Sequence, residues 1–204
     1  MRSIIFDMDG TLIDSSNVIV NTINYVRQNI GLDAMEKSYM LQHINDPYIN
    51  GSEFFYGTES YTDRQNQLFE DYYHKNCITD IELYPEIREL LKELKSDGRT
   101  MFVATNASDY FAKKMLNHTE IDSCFKDIVG ANLVQNPKPH PDMINKLITD
   151  WSLKTGETIL IGDSKKDTLS AQNAGIGSIL VNWGFSDHKS EAISEIKDLR
   201  EILF

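Results

Sequence analysis

From Tyr84 onward the chain keeps a regular rhythm, in which short apolar runs alternate with segments whose apolar residues recur at helical spacing. Ile87, Leu90, Leu91 and Leu94 form one helical stripe, with Pro85 placed as a first helical residue and Gly98 as the stop. The run 100–105 follows and is continuously apolar in its middle, as a strand covered on both faces requires. The series continues with a helix near 108–117, a short strand near 127–131 and a helix over 141–151. A buried strand over 158–161, a helix ending at Asn173, a last strand over 178–181 and a terminal helix carrying Ile193, Ile196 and Leu199 complete it. This alternation predicts an α/β fold, a Rossmann-like parallel sheet with helices on both faces. Ser3-Ile4-Ile5-Phe6 adds a strand at the start of the chain.

The rhythm is broken once, directly after that first strand. Ile19, Ile23, Val26 and Ile30 recur at helical spacing before Gly31, and helical character returns over 35–43 and 63–76 on either side of a looser stretch at 45–57. A chain of 204 residues accommodates a core with an inserted smaller unit. The expected division is therefore a core of 1–14 and 81–204, with a helical insertion over 15–80.

Open parallel sheets bind ligands beyond the carboxyl ends of their strands, so the polar residues at those ends carry the functional reading. The first strand ends in Asp7-Met8-Asp9-Gly10-Thr11, the strand over 100–105 ends in Thr105-Asn106, and the strand over 158–161 runs into Gly162-Asp163-Ser164 with Asp167 beyond. Lys138 stands between Pro137 and Pro139 in the loop after the short strand. Singly, each piece has an ordinary structural reading: an Asp-Gly turn, a strand end, a solvated lysine, a helix cap. Together they put carboxylates, a hydroxyl and a lysine at one edge of one sheet. Clustered carboxylates repel and call for a cation, and hard oxygen ligands suit Mg2+. A phosphate monoester is itself an anion, so metal and lysine are what make attack on it by a carboxylate feasible. Phosphoryl transfer is the chemistry this set fits.

The charge balance narrows the partners. With 31 Asp and Glu against 20 Lys and Arg, the net charge of -11 disfavours nucleic acid and anionic membrane surfaces. No apolar stretch reaches the length of a membrane span, and Met1-Arg2-Ser3-Ile4 leaves no room for a secretory leader before the strand. Cys77 and Cys124 form neither a metal cluster nor a disulfide framework. A reduced, cytoplasmic protein acting on a small phosphorylated metabolite is the expectation.

The stretch 7–15 (DMDGTLIDS), Thr105-Asn106, the loop 138–142 (KPHPD) and the stretch 162–167 (GDSKKD) resemble the signature motifs of the haloacid dehalogenase superfamily. The resemblance is to its phosphatase branch with a small helical cap, which includes phosphoglycolate phosphatases. It implies that Asp7 is the nucleophile and forms an aspartyl-phosphate. It also implies that Asp9 is the acid that protonates the leaving oxygen and then the base for the attacking water. Thr105 and Lys138 would bind the phosphoryl oxygens, with Gly10 and Asn106 adding backbone contacts. Mg2+ would be held by Asp7, the Asp9 carbonyl, Asp163 and Asp167. A second Asp in the first motif separates phosphate chemistry from that of the dehalogenases, which lack an acid there. Asp14 reads instead as a cap for the helix carrying Ile19.

The insertion would be the family's cap, which closes over the site and selects the substrate. Its four basic and nine acidic residues disfavour a multiply charged substrate, and a phosphorylated acid would need a cation such as Arg64 or Lys37. Phe54, Phe55, Tyr56, Tyr72 and Tyr73 are open to two readings, the core of the insertion or the lining of a pocket. His43, His74, His118, His140 and His188 are scattered, and the stretch 187–189 reads as polar surface. Two rivals stand beside a phosphatase. A sugar phosphomutase of the same superfamily would carry a histidine where this chain has Ile19, and a noncatalytic binding protein would keep the fold without turnover.

Overall fold

In a computed structural model of the chain, residues 2–185 and 192–204 are described; His188 and the stretch 187–189 lie outside them. The core is a five-stranded parallel sheet in the order β5-β4-β1-β6-β7. Its strands are β1 (Ser3–Phe6), β4 (Thr100–Thr105), β5 (Asp127–Gly130), β6 (Thr158–Gly162) and β7 (Gly177–Leu180). β1 is central, in register with Thr100–Val103 on one side and Thr158–Ile161 on the other. The two-residue period of a strand sends alternate side chains to opposite faces. Ile4, Phe6, Met101, Val103, Ile159 and Ile161 accordingly enter one hydrophobic cluster. Ile5, Phe102, Ala104 and Leu160 enter another. The first face is covered by α5 (Ile87–Ser96), α6 (Asp109–His118) and α9 (Ile196–Leu203), the second by α7 (Asp142–Trp151) and α8 (Lys165–Ala174). This is the three-layer, doubly covered parallel sheet that the rhythm predicts.

Between β1 and β4 the chain leaves the sheet and forms α1 (Ser16–Asn29), α2 (Lys37–Ile44), α3 (Gly51–Tyr56) and α4 (Asp63–Asn76). These helices bury a third cluster, built on Val20, Ile23, Val26, Met40, Phe55 and Tyr56. Ile19 and Phe69 pack against both this cluster and the sheet's, which fastens the unit over the core. The exit and return of the chain are joined by a feature the periodicity did not indicate. β2 (Ile13–Asp14) pairs antiparallel with β3 (Glu82–Leu83), a two-stranded ribbon at the base of the helical unit.

Local signals hold with two corrections, the first at the terminal helix: α9 begins at Ile196, so Ile193 lies outside it and bridges Val181 instead. Gly31 and Gly98 follow the ends of α1 and α5 with φ of +85° and +76°, the left-handed conformation that terminates a helix. Pro85, however, is not the first residue of α5. Glu86 intervenes in the left-handed region and the helix begins at Ile87, because residues 82–84 are drawn into the ribbon, where the Tyr84 N–H donates to the Leu12 carbonyl at 3.1 Å. Ser15 occupies the cap position of α1, and Asp14, one residue earlier, accepts from the Ser16 N–H through Oδ1 at 3.0 Å.

Candidate active site

All four motif loops meet above the carboxyl ends of β1, β4 and β6. Asp7 follows β1, and its N–H still donates to the Ile161 carbonyl at 2.8 Å, so the backbone carrying this carboxylate is held in the sheet. The chain then turns sharply, with the Met8 carbonyl accepting from the Leu12 and Ile13 N–H groups at 2.9 and 3.0 Å. Gly10 sits in this turn at φ +87°, and a Cβ on it would lie 2.4 Å from Asp163 Oδ2. Glycine is required there both for the backbone conformation and for the approach of Asp163. Its N–H donates to the Ile13 carbonyl at 2.9 Å, so Gly10 serves the site by making room for a carboxylate rather than through a free N–H aimed at a phosphate.

Lys138 is buried between two carboxylates. Its Nζ lies 2.6 Å from Asp7 Oδ1 and 2.6 Å from Asp167 Oδ1. Burial alone would lower the lysine's pKa, but Asp167 and Asp7 outweigh it and push it up, so the ammonium is retained. Asn106 sets this lysine in place. Its side chain donates to the Lys138 carbonyl at 2.9 Å and accepts from the Lys138 N–H at 3.0 Å, a reciprocal clamp between the β4 loop and the lysine loop. Beside the backbone contact implied for Asn106, its side chain therefore fixes Lys138.

Asp163 and Asp167 stand on the turn from β6 into α8. Asp167 Oδ2 accepts from the Ser164 N–H and Oγ at 3.1 and 2.6 Å, which leaves Oδ1 for Lys138. Asp163 is fully buried; its Oδ2 accepts from the Phe185 N–H at 2.9 Å and from Asn45 Nδ2 at 3.3 Å, while Oδ1 has no hydrogen-bond partner among the described residues. Ligand oxygens of Asp7, Asp163 and Asp167 lie within 4.8 Å of one another. Burial pushes the Asp7 carboxyl up to about 7, with Lys138 pulling against it. Burial, followed by the charges of Asp7 and Asp167, pushes Asp163 well above the usual carboxylate range. Three buried carboxylates served by one ammonium, with an orphaned carboxylate oxygen among them, are a donor set that fits a cation.

Asp9 is held apart from this triad. Its Oδ1 accepts from Ser15 Oγ at 2.5 Å, and Thr105 Oγ1 reaches its Oδ2 at 3.4 Å. Burial raises its pKa and the Ser15 hydrogen bond opposes the rise. Two neighbouring acids thus have different surroundings, one beside an ammonium and two carboxylates, the other beside two hydroxyls. The Asp9 side chain is not part of the triad, so a metal contact from this residue would have to come from its backbone carbonyl.

Residues 4–181 match the family described as haloacid dehalogenase-like hydrolase. The chain belongs to that family. Among similar proteins, the phosphoglycolate phosphatases of Vibrio parahaemolyticus and Vibrio vulnificus are 29% and 27% identical to it, and the matches cover 91% and 96% of this chain and 86% and 90% of theirs. A solved structure of a haloacid dehalogenase-like hydrolase from Streptococcus pneumoniae superposes with a TM-score of 0.83 at 27% identity, over 99% of this chain and 98% of that one. The core described above is the Rossmann-like fold of this haloacid dehalogenase-like family.

Asp7, Asp9, Thr105, Asn106, Lys138 and Asp167 all border a cavity of about 560 Å³ between the sheet edge and the helical unit. Neither Arg64 nor Lys37 does: Arg64 Nη2 donates to the Asn29 carbonyl at 3.1 Å and Lys37 Nζ to Asn17 Oδ1 at 2.6 Å. The aromatic residues divide. Phe55, Tyr56 and Tyr73 are both buried core and cavity lining, whereas Phe54 and Tyr72 do not border the cavity. Of the described histidines only His43 borders it; His140 is exposed in the lysine loop. Sequence reasoning gave no role to three residues that the structure ties to the site. Ser15 acts within the core, and two others join it to the helical unit, Asn45 through Asp163 and Lys166 through the Ile44 carbonyl at 3.0 Å. Ser15 and Lys166 lie inside the motif stretches, but nothing local marks Asn45.

Proposed function

We propose that this chain is a Mg2+-dependent phosphatase that hydrolyses a phosphate monoester through an aspartyl-phosphate on Asp7. The single observation that carries the reading is the buried set of Asp7, Asp163 and Asp167 around Lys138, with Asp9 held separately beside it. Asp7, Asp163 and Asp167 would hold the Mg2+, assisted by the Asp9 carbonyl, and the ion would offset the charge of the incoming phosphate.

In this scheme Lys138 and Thr105 bind the non-reacting phosphoryl oxygens, with Asn106 fixing the lysine. An Asp7 carboxylate oxygen attacks phosphorus and the bond to the alcohol oxygen breaks, while Asp9 delivers a proton to that oxygen. Asp9, now ionised, takes a proton from water as the water attacks the phosphoryl group, and inorganic phosphate leaves with Asp7 restored. Ile19 stands on the cavity wall where a sugar phosphomutase of the superfamily would carry a histidine, which favours hydrolysis over a mutase reaction.

The unit over 15–80 acts as the cap, hinged at the β2–β3 ribbon. Asn45 and Lys166 would hold it closed. The relatives' name puts phosphoglycolate on the test panel but does not define the alcohol. The test is phosphate release from a panel of monoesters with Mg2+ by the wild type and by Asp7→Asn. Release that vanishes in D7N and on chelation is expected; undiminished release in either would overturn the proposal.

A further inference from the structure

The cavity beyond the phosphoryl end carries a second reading, which rests on the phosphatase proposal above. Part of its wall is apolar, formed by Ile19, Ile23, Phe55, Phe69, Tyr73 and Phe111. The aromatic part is already packed in place: Phe69 stacks on Tyr73 at 5.4 Å between centroids, and Phe111 meets Tyr73 edge-on at 4.9 Å. Rings held by their neighbours lose little freedom when a ligand arrives.

The charges around the cavity point the same way. Besides Asp7, Asp9 and Asp167, the carboxylates of Asp46 and Glu70 border it, and among the described residues no arginine does. Lys138 is engaged by two carboxylates. Lys166 donates to the Ile44 carbonyl and lies in the field of Asp167 and Asp46. His43 Nδ1 is 2.7 Å from the Tyr39 carbonyl, and its ring stacks on Phe54. A carboxylate on the substrate's alcohol would therefore meet Asp46 and Glu70 without an unengaged guanidinium to receive it. The volume, about 560 Å³, also exceeds what a two-carbon acid fills.

We propose that the monoester taken by this chain carries an uncharged alcohol with an aromatic ring or comparable apolar body, lying against Phe69, Tyr73 and Phe111. The test compares kcat/KM of the full chain with Mg2+ for benzyl phosphate and for 2-phosphoglycolate, both esters of primary alcohols, so that intrinsic reactivity is similar. Benzyl phosphate is expected to be preferred by about tenfold or more, the scale of discrimination an apolar pocket provides. Glu70→Lys, at an exposed position on the cavity rim, is expected to shift the ratio toward phosphoglycolate. Equal or faster turnover of phosphoglycolate, or an unchanged ratio in E70K, would overturn the substrate class while leaving the phosphatase reading intact. Release of phosphate from neither ester would overturn both.

Discussion

Asp163→Asn removes one charge from the triad while keeping the side chain's shape, and its consequences can be worked from the geometry. In the metal-free protein Asp163 is fully buried, with ligand oxygens of Asp7 and Asp167 within 4.8 Å. At that distance, with an effective dielectric constant of ~20, each like-charge pair costs about 3 kcal/mol. An amide can keep its oxygen on the Phe185 N–H and put its NH2 where the unpaired Oδ1 now stands, facing carboxylates that accept. Allowing for partial protonation and relaxation, metal-free D163N is expected to be more stable than wild type by about 2 kcal/mol, or roughly 4–8 °C in Tm for a chain of this size. Mg2+ should have the opposite dependence on the residue. At a concentration ~100 times its Kd it adds about 2.7 kcal/mol to wild type, and in D163N this gain should be largely lost. Thermal melts at pH 8, with chelator and with Mg2+, measure both effects. A metal-free variant less stable than wild type that keeps the full Mg2+ shift would refute the view that the triad is a cation site whose charges strain the empty protein.

Three further outcomes follow from the same contacts. In chelator, stability should fall as pH rises from about 4 to about 7, because burial raises Asp7 to about 7 in the folded state, so the folded form holds its proton longer than the unfolded one; the raised pKa of Lys138 acts only in the alkaline range, and a Tm that climbs over this window would contradict the assignment. Asn106→Ala deletes both bonds to the Lys138 backbone, costing about 1–3 kcal/mol of stability and at least roughly tenfold in kcat/KM, as melts and steady-state kinetics would measure. Ser15→Ala removes the hydrogen bond that holds down the Asp9 pKa, so the alkaline limb of the kcat profile should move to higher pH; a limb that stays or moves down would separate Asp9 from the acid role.

The parts of the fold that local pattern determines were legible from the residues. The run 100–105 and the helix 63–76 have the bounds expected from the residues. The loops that carry Asp7, Thr105, Lys138 and Asp163 converge because a parallel sheet places strand ends on one edge. What escaped is tertiary. The β2–β3 ribbon pairs two-residue segments, Ile13–Asp14 with Glu82–Leu83, too short for any period and far apart in the chain. The Asn106 clamp spans 32 residues and the Asn45–Asp163 contact 118, and asparagine has no local signal that separates such a partner from a loop cap. The basic residues of the insertion could be counted but not aimed, and Arg64 and Lys37 do not border the cavity; the Asn29 carbonyl and the Asn17 side chain engage them.

The central claim is that phosphate passes through a covalent bond to Asp7. Acid quenching during steady turnover, reduction with borohydride and mass spectrometry of the peptide around Asp7 test it most directly, because an aspartyl-phosphate is reduced to homoserine at that position. The account predicts homoserine at residue 7, dependent on both substrate and Mg2+. Phosphate release with residue 7 unmodified throughout, or with the modification on another carboxylate, would contradict it.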